Sequence, residues 1–408
     1  MLGLDLFRDR DVGFKKNLWI FFAAYFIVML NYPLVRASTT ALFFELFGAK
    51  ATPTAWLLSV GLLVLAVYSC NRVQARHSVQ RVFLLASVFT ALVFFCGALG
   101  FEFQSKPLGY LTFIWKEIYI VIQVHLLLAY GNNYFSREDF KLLVGPVGAV
   151  GSIGGILGGL LTAYISSTWG TLPVLWISLF FILAPALLFI STPKIRTRSQ
   201  AEGSEASPLS SLSESSVKQY VFIIAAIIML TQFIINIIDF RFSLAFEAAI
   251  TATSERTAYL GRVYSWTNFL TFLLQFFLLP VLLPRVSLKN IHLFIPLSYL
   301  LLVSVLIIQS PALGLVGISL LYVYIKASDY SIFSGAKEIL YQPLGAAQKY
   351  GAKYLTDMIV YRAAKALIAT VLIYVQSSFI LNMLMIFFII VWAGLVIGLF
   401  RVHKKHFH

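Results

Sequence analysis

Charged side chains lie inside segments of this chain that are apolar enough to cross a membrane. Asp357, Arg362 and Lys365 belong to one such segment, and Lys326 and Asp329 belong to the segment before it. A charge at the centre of a bilayer costs about 3 kcal/mol or more unless it meets water, a ligand or an opposite charge. These side chains therefore indicate ion binding, proton transfer or salt-bridge gating within the membrane.

The membrane-embedded bases outnumber the acids. Arginine presents a rigid fork that matches carboxylate or phosphate oxygens, and lysine presents a point charge. We therefore predict a site for an anion, built from Arg36, Lys116, Arg241, Lys326, Arg362, Lys365 and the amide of Asn236. We interpret four acids of these segments and two charges from the loop after the tenth predicted helix as coupling or gating groups: Glu117, Asp239, Asp329 and Asp357, with Lys337 and Glu338.

Helical spacing places only some of these bases on common faces. Arg362 and Lys365 are three residues apart, so they share a helix face. Lys116 and Glu117 are adjacent, and adjacent side chains leave a helix about 100° apart. We therefore expect at most one of these two to face the centre of a site.

The acids allow two interpretations. Lys326 and Asp329 are spaced to pair with each other, which would make them a structural or gating salt bridge. Asp239 and Asp357 suit either a proton carrier in a coupled mechanism or a salt-bridge partner. The sequence leaves both interpretations open.

The segments that hold these charges make this an all-α, multi-pass membrane protein. Hydrophobic residues make up 60% of the chain and charged residues 12%, outside the range of soluble domains. Stretches of about 20 apolar residues recur along the whole chain. They predict twelve transmembrane helices, at 18–40, 53–70, 82–103, 108–130, 142–166, 171–192, 218–246, 260–283, 290–309, 311–333, 352–376 and 378–400.

The predicted helices divide into two groups of six. Residues 193–217 form the one long polar, serine-rich stretch, with the composition of a flexible linker. We therefore predict an N-terminal six-helix half at 1–192, a cytoplasmic linker at 193–217 and a C-terminal six-helix half at 218–408.

The two halves resemble each other in sequence. The pattern Asn-x4-Arg-x-Ser at 31–38 recurs at 236–243, and Lys116 has a counterpart in Lys326. The offsets are similar, so we infer a duplicated six-helix unit. Two parallel six-helix repeats joined by a cytoplasmic linker resemble the layout of major facilitator transporters, in which the substrate site lies between the halves and access alternates.

The fifth predicted helix is rich in glycine and has GxxxG pairs at 151/155, 154/158 and 155/159. Small residues at this spacing let membrane helices approach closely. The contact is either one between the halves that a transport cycle makes and breaks, or helix packing alone.

Loop charges predict the orientation. Lys and Arg are concentrated on the side of both termini, which we therefore place in the cytoplasm of a bacterial cell, with the protein in the inner (plasma) membrane. We attribute the net charge of +14 to this bias and expect no nucleic-acid partner. No phosphate-binding loop, His/Cys cluster or catalytic triad is evident, so we expect no enzyme activity, cofactor or metal. We also expect the protein to be a monomer.

Two stretches of the chain resemble the nucleotide transporters of the ATP/ADP translocase type. One is Tyr-Ser-Ile-Phe-x3-Lys-Glu-x2-Tyr-x-Pro-Leu at 330–344, followed by Lys-x3-Asp-x4-Arg-x2-Lys at 353–365. The other is Tyr-Leu-Gly-x4-Trp-Thr at 259–267, and the Arg-Glu-Asp-Phe-Lys at 137–141 is also similar. The resemblance implies transport of an anionic, phosphorylated metabolite such as a nucleotide, with counter-exchange as one mode.

The first helix departs from the pattern of that family. Where the nucleotide carriers continue from the arginine to a Lys-Asp pair, this chain has Thr39 and Thr40. The departure makes the chain a divergent member and weakens the inference of ATP/ADP exchange, while leaving the inference about the fold intact.

The sequence thus favours a secondary transporter of a nucleotide-like anion that works by alternating access. One alternative keeps the fold but makes the chain a proton-coupled carrier or exporter of a non-nucleotide organic anion. A second alternative is a non-transporting interaction or assembly subunit.

Overall fold

The computed structural model describes residues 10–196, 208–212 and 214–406, and its long elements are all helices. Ten helices in the described residues are long and apolar enough to cross a membrane. The helices are α1 (Val12–Phe47), α2 (Thr52–Gln74), α3 (Val79–Glu102), α4 (Lys106–Tyr134), α5 (Arg137–Trp169), α6 (Thr171–Ile190), α7 (Ser215–Ala249), α8 (Thr253–Arg285), α9 (Leu288–Gln309), α10 (315–340), α11 (346–374) and α12 (Ser378–His406).

The tenth and eleventh predicted helices are present but irregular. The backbone between α9 and α10 kinks at Gly314, whose φ of 47° and ψ of −134° are not helical. A π-helical turn at Asp329–Phe333 interrupts α10, and a second one at Tyr354–Val360 interrupts α11. The twelve-helix, all-α membrane architecture predicted from the sequence is confirmed, and the protein is a multi-pass integral membrane protein.

Local sequence defines several helix ends. Glycine ends α1 and α5, with φ of 76° at Gly48 and 92° at Gly170, a backbone conformation that favours glycine. Side-chain oxygens accept hydrogen bonds from the free backbone N–H groups at the start of α1, α3, α5 and α9, and these caps are Asp11, Ser78, Ser136 and Ser287.

The chain forms two compact units, and each contains a segment from the other predicted half. Among the described residues, the first unit contains 10–48, 61–196 and 250–269, and the second contains 49–60, 208–249 and 270–406. The start of α8 thus belongs to the first unit, and the start of α2 to the second. Within the predicted linker, residues 197–207 and 213 lie outside the described residues, and the division at 193–217 stays a prediction.

The first helix of each predicted half lies at the core of one unit. In the first unit α1 packs against α4, α5 and α6, and Leu34, Ile165 and Val174 are fully buried together. In the second unit α7 packs against α11 and α12 and against the helix Leu288–Ser328, which combines α9 with the start of α10. The predicted site residues on α1 and α7 are therefore held by the best-packed helices of their units.

Candidate functional site

Aromatic rings surround Arg36 on α1. Its guanidinium carbon lies 4.6 Å from the ring centroid of Tyr264 and 5.7 Å from that of Tyr32. Cations within about 6 Å of an aromatic ring are attracted to the electron-rich face of the ring. Tyr32, Arg36 and Thr40 recur at intervals of four residues and so form one face of α1.

Lys116 on α4 is buried and interacts with that same face of α1. Its Nζ donates a hydrogen bond to Oγ1 of Thr40 at 2.8 Å and lies 3.5 Å from a carboxylate oxygen of Glu117. The ammonium group also lies 3.6 Å from the ring centroid of Phe113. The adjacent Lys116 and Glu117, which we predicted to diverge, are thus close enough to form an ion pair.

Thr39 and Thr40 of α1 have different roles. Thr40 provides a neutral oxygen to Lys116, whereas Thr39 donates its hydroxyl hydrogen bond to the backbone oxygen of Val35 at 2.5 Å. A hydroxyl accepts one hydrogen bond from the ammonium but does not neutralise its charge. Glu117 thus provides a carboxylate beside this ammonium group, and Thr40 provides a neutral oxygen.

A buried amide on α1 is unsatisfied in the described structure. Asn31 is 1% exposed, and neither its Nδ2 nor its Oδ1 has a hydrogen-bond partner among the described residues. Leaving such a group unpaired costs about 1 to 3 kcal/mol. Its counterpart in the repeat, Asn236, donates instead to the backbone oxygen of Gln232 at 2.7 Å.

In the second unit, Lys326 pairs with a different acid from the one that spacing suggested. Its Nζ lies 2.5 Å from Oδ2 of Asp239 on α7, and the lysine is buried. The pair with Asp329 that the spacing suggests stays a prediction, and Asp329 begins the π-helical turn of α10. Asp239 is thus a salt-bridge partner in this conformation.

Arg241 lies on the other side of α7. Residues 239 and 241 are two apart, so their side chains leave the helix about 200° apart. Arg241 is half-buried, and its Nε has no hydrogen-bond partner among the described residues. The structure therefore separates Arg241 from the Lys326–Asp239 pair instead of joining the three in one cluster.

Helix α11 contributes Arg362 and Lys365, which are both half-buried and lie beyond the π-helical turn. No salt bridge joins Arg362 to any residue in the part of the chain that the structure describes. The helical segment that contains both residues packs against α7. The second unit thus has two arginines, Arg241 and Arg362, on helices that are in contact.

The other predicted gating residues form ion pairs across the turn between α10 and α11. Lys337 lies 2.9 Å from Asp357, and Glu338 pairs with Lys353. Burial raises the pKa of the Tyr341 phenol in this turn, and its hydroxyl shares a hydrogen bond of 2.8 Å with a threonine of α11. These ion pairs stabilise the turn. A role in coupling or gating stays a prediction for Lys337, Glu338 and Asp357.

Two glutamates that we did not predict as functional have equivalent positions in the repeat. Glu45, near the end of α1, accepts a hydrogen bond of 2.8 Å from the hydroxyl of Thr253, the first residue of α8. Glu247, near the end of α7, accepts one of 2.9 Å from the backbone N–H of Ala49, which leads into α2. Each therefore holds the start of a helix from the other predicted half, and in each case both partners lie in one compact unit.

The glycines of α5 face two different helices. A Cβ at Gly154 would lie 2.6 Å from the backbone oxygen of Phe26 on α1, so α1 and α5 are in backbone contact. On another face, a Cβ at Gly155 would lie 2.6 Å from Oδ1 of Asn268 on α8, and Ser265 of α8 donates to a backbone oxygen of α5. Helix α5 therefore packs against a helix of its own predicted half and against a helix of the other predicted half, and a contact that a transport cycle makes and breaks stays a prediction.

The sequence predicts the charged residues of the site but not the side chains that contact them. Tyr264 lies within the motif at 259–267, but nothing in the pattern relates it to Arg36. Asn31 was detectable, because it is the repeat counterpart of Asn236. Among the described residues, no group of three or more His, Cys, Asp or Glu side chains could hold a metal ion.

No protein-family model matches the chain, and no curated protein matches it in sequence. Solved structures of membrane transporters do resemble it in fold. The nucleoside transporter NupG superimposes with a TM-score of 0.64 and 13% sequence identity over 95% of this chain and 98% of that one. A POT family transporter in complex with 5-aminolevulinic acid gives a TM-score of 0.68 and 10% identity over 94% of this chain and 96% of that one.

A D-xylose–proton symporter is similar as well, with a TM-score of 0.63 and 13% identity over 96% of this chain and 98% of that one. At these identities the likeness shows the fold alone. The chain has the major facilitator type of fold, and the structures that it resembles are transporters rather than enzymes.

Proposed function

We propose that the chain is a secondary transporter that moves an anionic, phosphorylated solute across the membrane by alternating access, with counter-exchange as its mode. The nucleotide-like character of the solute follows from the resemblance of residues 330–365 to nucleotide carriers. The fold supports the transport part of the proposal, because the solved structures it resembles are transporters of chemically diverse solutes.

One observation carries the proposal about the charge of the solute. Arg241 and Arg362 lie in contacting membrane helices without a salt bridge to any described residue, and Nε of Arg241 is buried without a hydrogen-bond partner. Arginines within a membrane segment are costly unless an anion or water meets them. A phosphate or carboxylate of the solute would provide that partner, since its oxygens match the guanidinium fork.

The other predicted binding residues have supporting roles in this proposal. Lys116 and Lys326 have protein carboxylates beside them, so they would add attraction without being the principal anion ligands. Arg36 is packed against two tyrosine rings and would add positive charge to the site. Lys365 shares the face of Arg362 and would add a second cation.

We further propose that the protein works as a monomer in the bacterial inner membrane with both termini in the cytoplasm. The Lys/Arg bias of the short loops supports this orientation. Tagging each terminus with a reporter that is active only in the cytoplasm tests it, and activity at both ends is the expected result.

Ligand screening on the purified protein tests the nature of the solute. Nucleotides, sugar phosphates, organic acids and uncharged nucleosides would be compared for their effect on thermal unfolding, because a ligand of the folded state raises its apparent stability. We expect phosphorylated compounds to stabilise the wild type and to lose that effect in Arg362→Ala. Equal stabilisation by the uncharged nucleosides would contradict the proposal.

Arg285→Ala is the matched control for this screen. Arg285 is an exposed arginine at the end of α8, so its removal changes the net charge equally without touching a membrane-embedded site. The response of Arg285→Ala to the ligands should equal that of the wild type.

A proton-coupled carrier or exporter of a non-nucleotide organic anion is the second candidate. It is favoured by the Lys326–Asp239 pair, because protonation of the aspartate would release the lysine inside the membrane. Uptake driven by a pH gradient without any solute on the opposite side would support this candidate over exchange. Asp239→Asn should then abolish the dependence on the gradient.

A further inference from the structure

A basic cavity lies between the start of α9 and the end of α12, in the second unit. It has a volume of about 510 Å³ and is lined by Lys289, Ile397, Phe400, Arg401, His403 and Lys404. None of these residues belongs to the predicted anion site. The cavity therefore requires its own explanation.

Within the described residues, no carboxylate compensates the charge of this cavity. Lys289, Arg401 and Lys404 are all exposed, and none forms a salt bridge with a residue in the part of the chain that the structure describes. No acidic residue is among the residues that line it. The N-terminal end of α9, just after its Ser287 cap, adds the partial positive charge of the helix dipole.

The lining changes from apolar to basic along α12. This membrane-crossing helix ends at His406, so Ile397 and Phe400 lie deeper in the apolar layer than the basic residues that follow them. His403 faces inwards, with its ring centroid 5.9 Å from that of Tyr220 on α7. An apolar wall beneath a basic rim matches a molecule with hydrocarbon chains below a phosphate group.

We propose that this cavity binds the headgroup of an anionic phospholipid from the surrounding bilayer. Lys289, Arg401 and Lys404 hold the headgroup phosphate, and an acyl chain lies along Ile397 and Phe400. Basic pockets between transmembrane helices at a membrane surface bind anionic lipid headgroups in this manner. A soluble phosphate compound would leave the apolar wall without a partner, which is why the lipid is the occupant.

Lipid titration of the full-length protein in non-ionic detergent, followed by native mass spectrometry, tests the proposal. Phosphatidylglycerol and phosphatidylcholine with identical acyl chains are compared. We expect phosphatidylglycerol to bind at least about tenfold more tightly, and the variant K289Q/R401Q/K404Q to lose about 100-fold of that affinity, at about fivefold for each cation.

A matched variant controls for general surface charge. R76Q/R137Q/K141Q removes the same charge from exposed positions that do not line the cavity, and it should keep the wild-type affinity. An unchanged unfolding temperature checks that each variant is folded, and the single variant K289Q, expected to lose about fivefold, replaces the triple variant if that one does not fold.

Three results would overturn the proposal. Equal binding of the two lipids would show that the cavity recognises acyl chains alone. Equal losses in the cavity variant and the control variant would show attraction to the whole basic surface. Competition by inorganic phosphate as strong as that by phosphatidylglycerol would show a site for soluble anions.

Discussion

At the scale of single residues, the membrane-embedded charges of this protein fall into two chemical situations. Lys116 and Lys326 are buried beside carboxylates, and their charges are largely compensated within the protein. Arg241 and Arg362 have no such compensation among the described residues. The first situation stabilises one arrangement of helices, whereas the second leaves charge available for a ligand.

The Lys326–Asp239 pair leads to a prediction about stability. Asp239→Asn removes the carboxylate that lies 2.5 Å from a buried ammonium, which we expect to cost about 3 to 5 kcal/mol, because removing one partner weakens the compensation of a buried charge. Thermal unfolding in detergent measures the effect as a lower unfolding temperature.

The double variant D239N/K326M serves as the rescue, since methionine removes the stranded charge while keeping most of the side-chain volume. Asp357→Asn is the control, because that carboxylate is 42% exposed and its pairing is worth little. If D239N and D357N lowered the unfolding temperature equally, the pair would not be the buried contact described here.

At the scale of helices, two glutamates and a row of glycines set which elements pack together. Glu45 holds the start of α8, and Glu247 holds the segment that leads into α2. Negative charge at the start of a helix is also favoured by the helix dipole. These contacts explain why each compact unit contains a helical segment from the other predicted half.

Removal of either glutamate should loosen the helix start that it holds. We expect Glu45→Ala and Glu247→Ala each to cost about 0.5 to 2 kcal/mol, as for the loss of other helix caps, and hydrogen exchange to rise at 253–257 and 49–53 respectively. Glu255→Ala is the control, because Glu255 lies in the first turn of α8 but, unlike Glu45, accepts no hydrogen bond from the described start of that helix. Unchanged hydrogen exchange at both segments would show that these glutamates do not cap the helix starts.

The glycines of α5 give a second prediction at this scale. A Cβ at Gly158 would overlap the backbone oxygen of Leu30, whereas one at Gly394 of α12 would meet nothing within 4 Å. Gly158→Ala should therefore destabilise the fold, and Gly394→Ala should stabilise it by up to about 1 kcal/mol, the usual gain of alanine over glycine in a helix. Thermal unfolding of the two variants provides the comparison, and equal effects would contradict the close contact of α1 with α5.

Gly159→Ala tests whether the contact between α5 and α8 has a role in transport as well as in packing. Its Cβ would overlap the backbone of Gly261 on α8, which belongs to the other predicted half. If this contact breaks during transport, the variant should change the uptake rate more than its loss of stability explains. A change in uptake rate that is proportional to the loss of stability would show that this contact serves packing alone.

The sequence was sufficient to predict the helices but not their irregularities or partners. Apolar stretches of the right length identify membrane helices, and the repeated Asn-x4-Arg-x-Ser pattern indicates the duplication. The π-helical turns at Asp329–Phe333 and Tyr354–Val360 leave no mark on hydropathy, because they change the hydrogen-bond register and not the composition. The partner of Lys326 is Asp239, which lies 87 residues earlier in the sequence and on a different helix. Residue spacing predicts only contacts within one helix, so it could not identify this pair.

At the scale of the whole molecule, the chain combines a transporter fold with an uneven distribution of buried charge. The fold resembles that of carriers for nucleosides and sugars, so the fold does not select the solute. We propose that the selectivity comes from individual side chains, and that Arg241 and Arg362, which form no salt bridge within the described residues, favour an anion. Thr40 provides a neutral oxygen beside Lys116 and therefore adds no carboxylate that would compete with the anion.

Uptake of labelled nucleotides, or of the best ligand from the screen, into proteoliposomes shows whether Arg241 and Arg362 bind the transported anion. We predict that R241Q/R362Q lowers the initial rate at least about 100-fold, since each charge-assisted contact with an anion is worth about 1.5 to 3 kcal/mol. R285Q should retain the wild-type rate. Uptake by R241Q/R362Q at the rate of R285Q, with both variants folded, would contradict the claim that these arginines bind the transported anion.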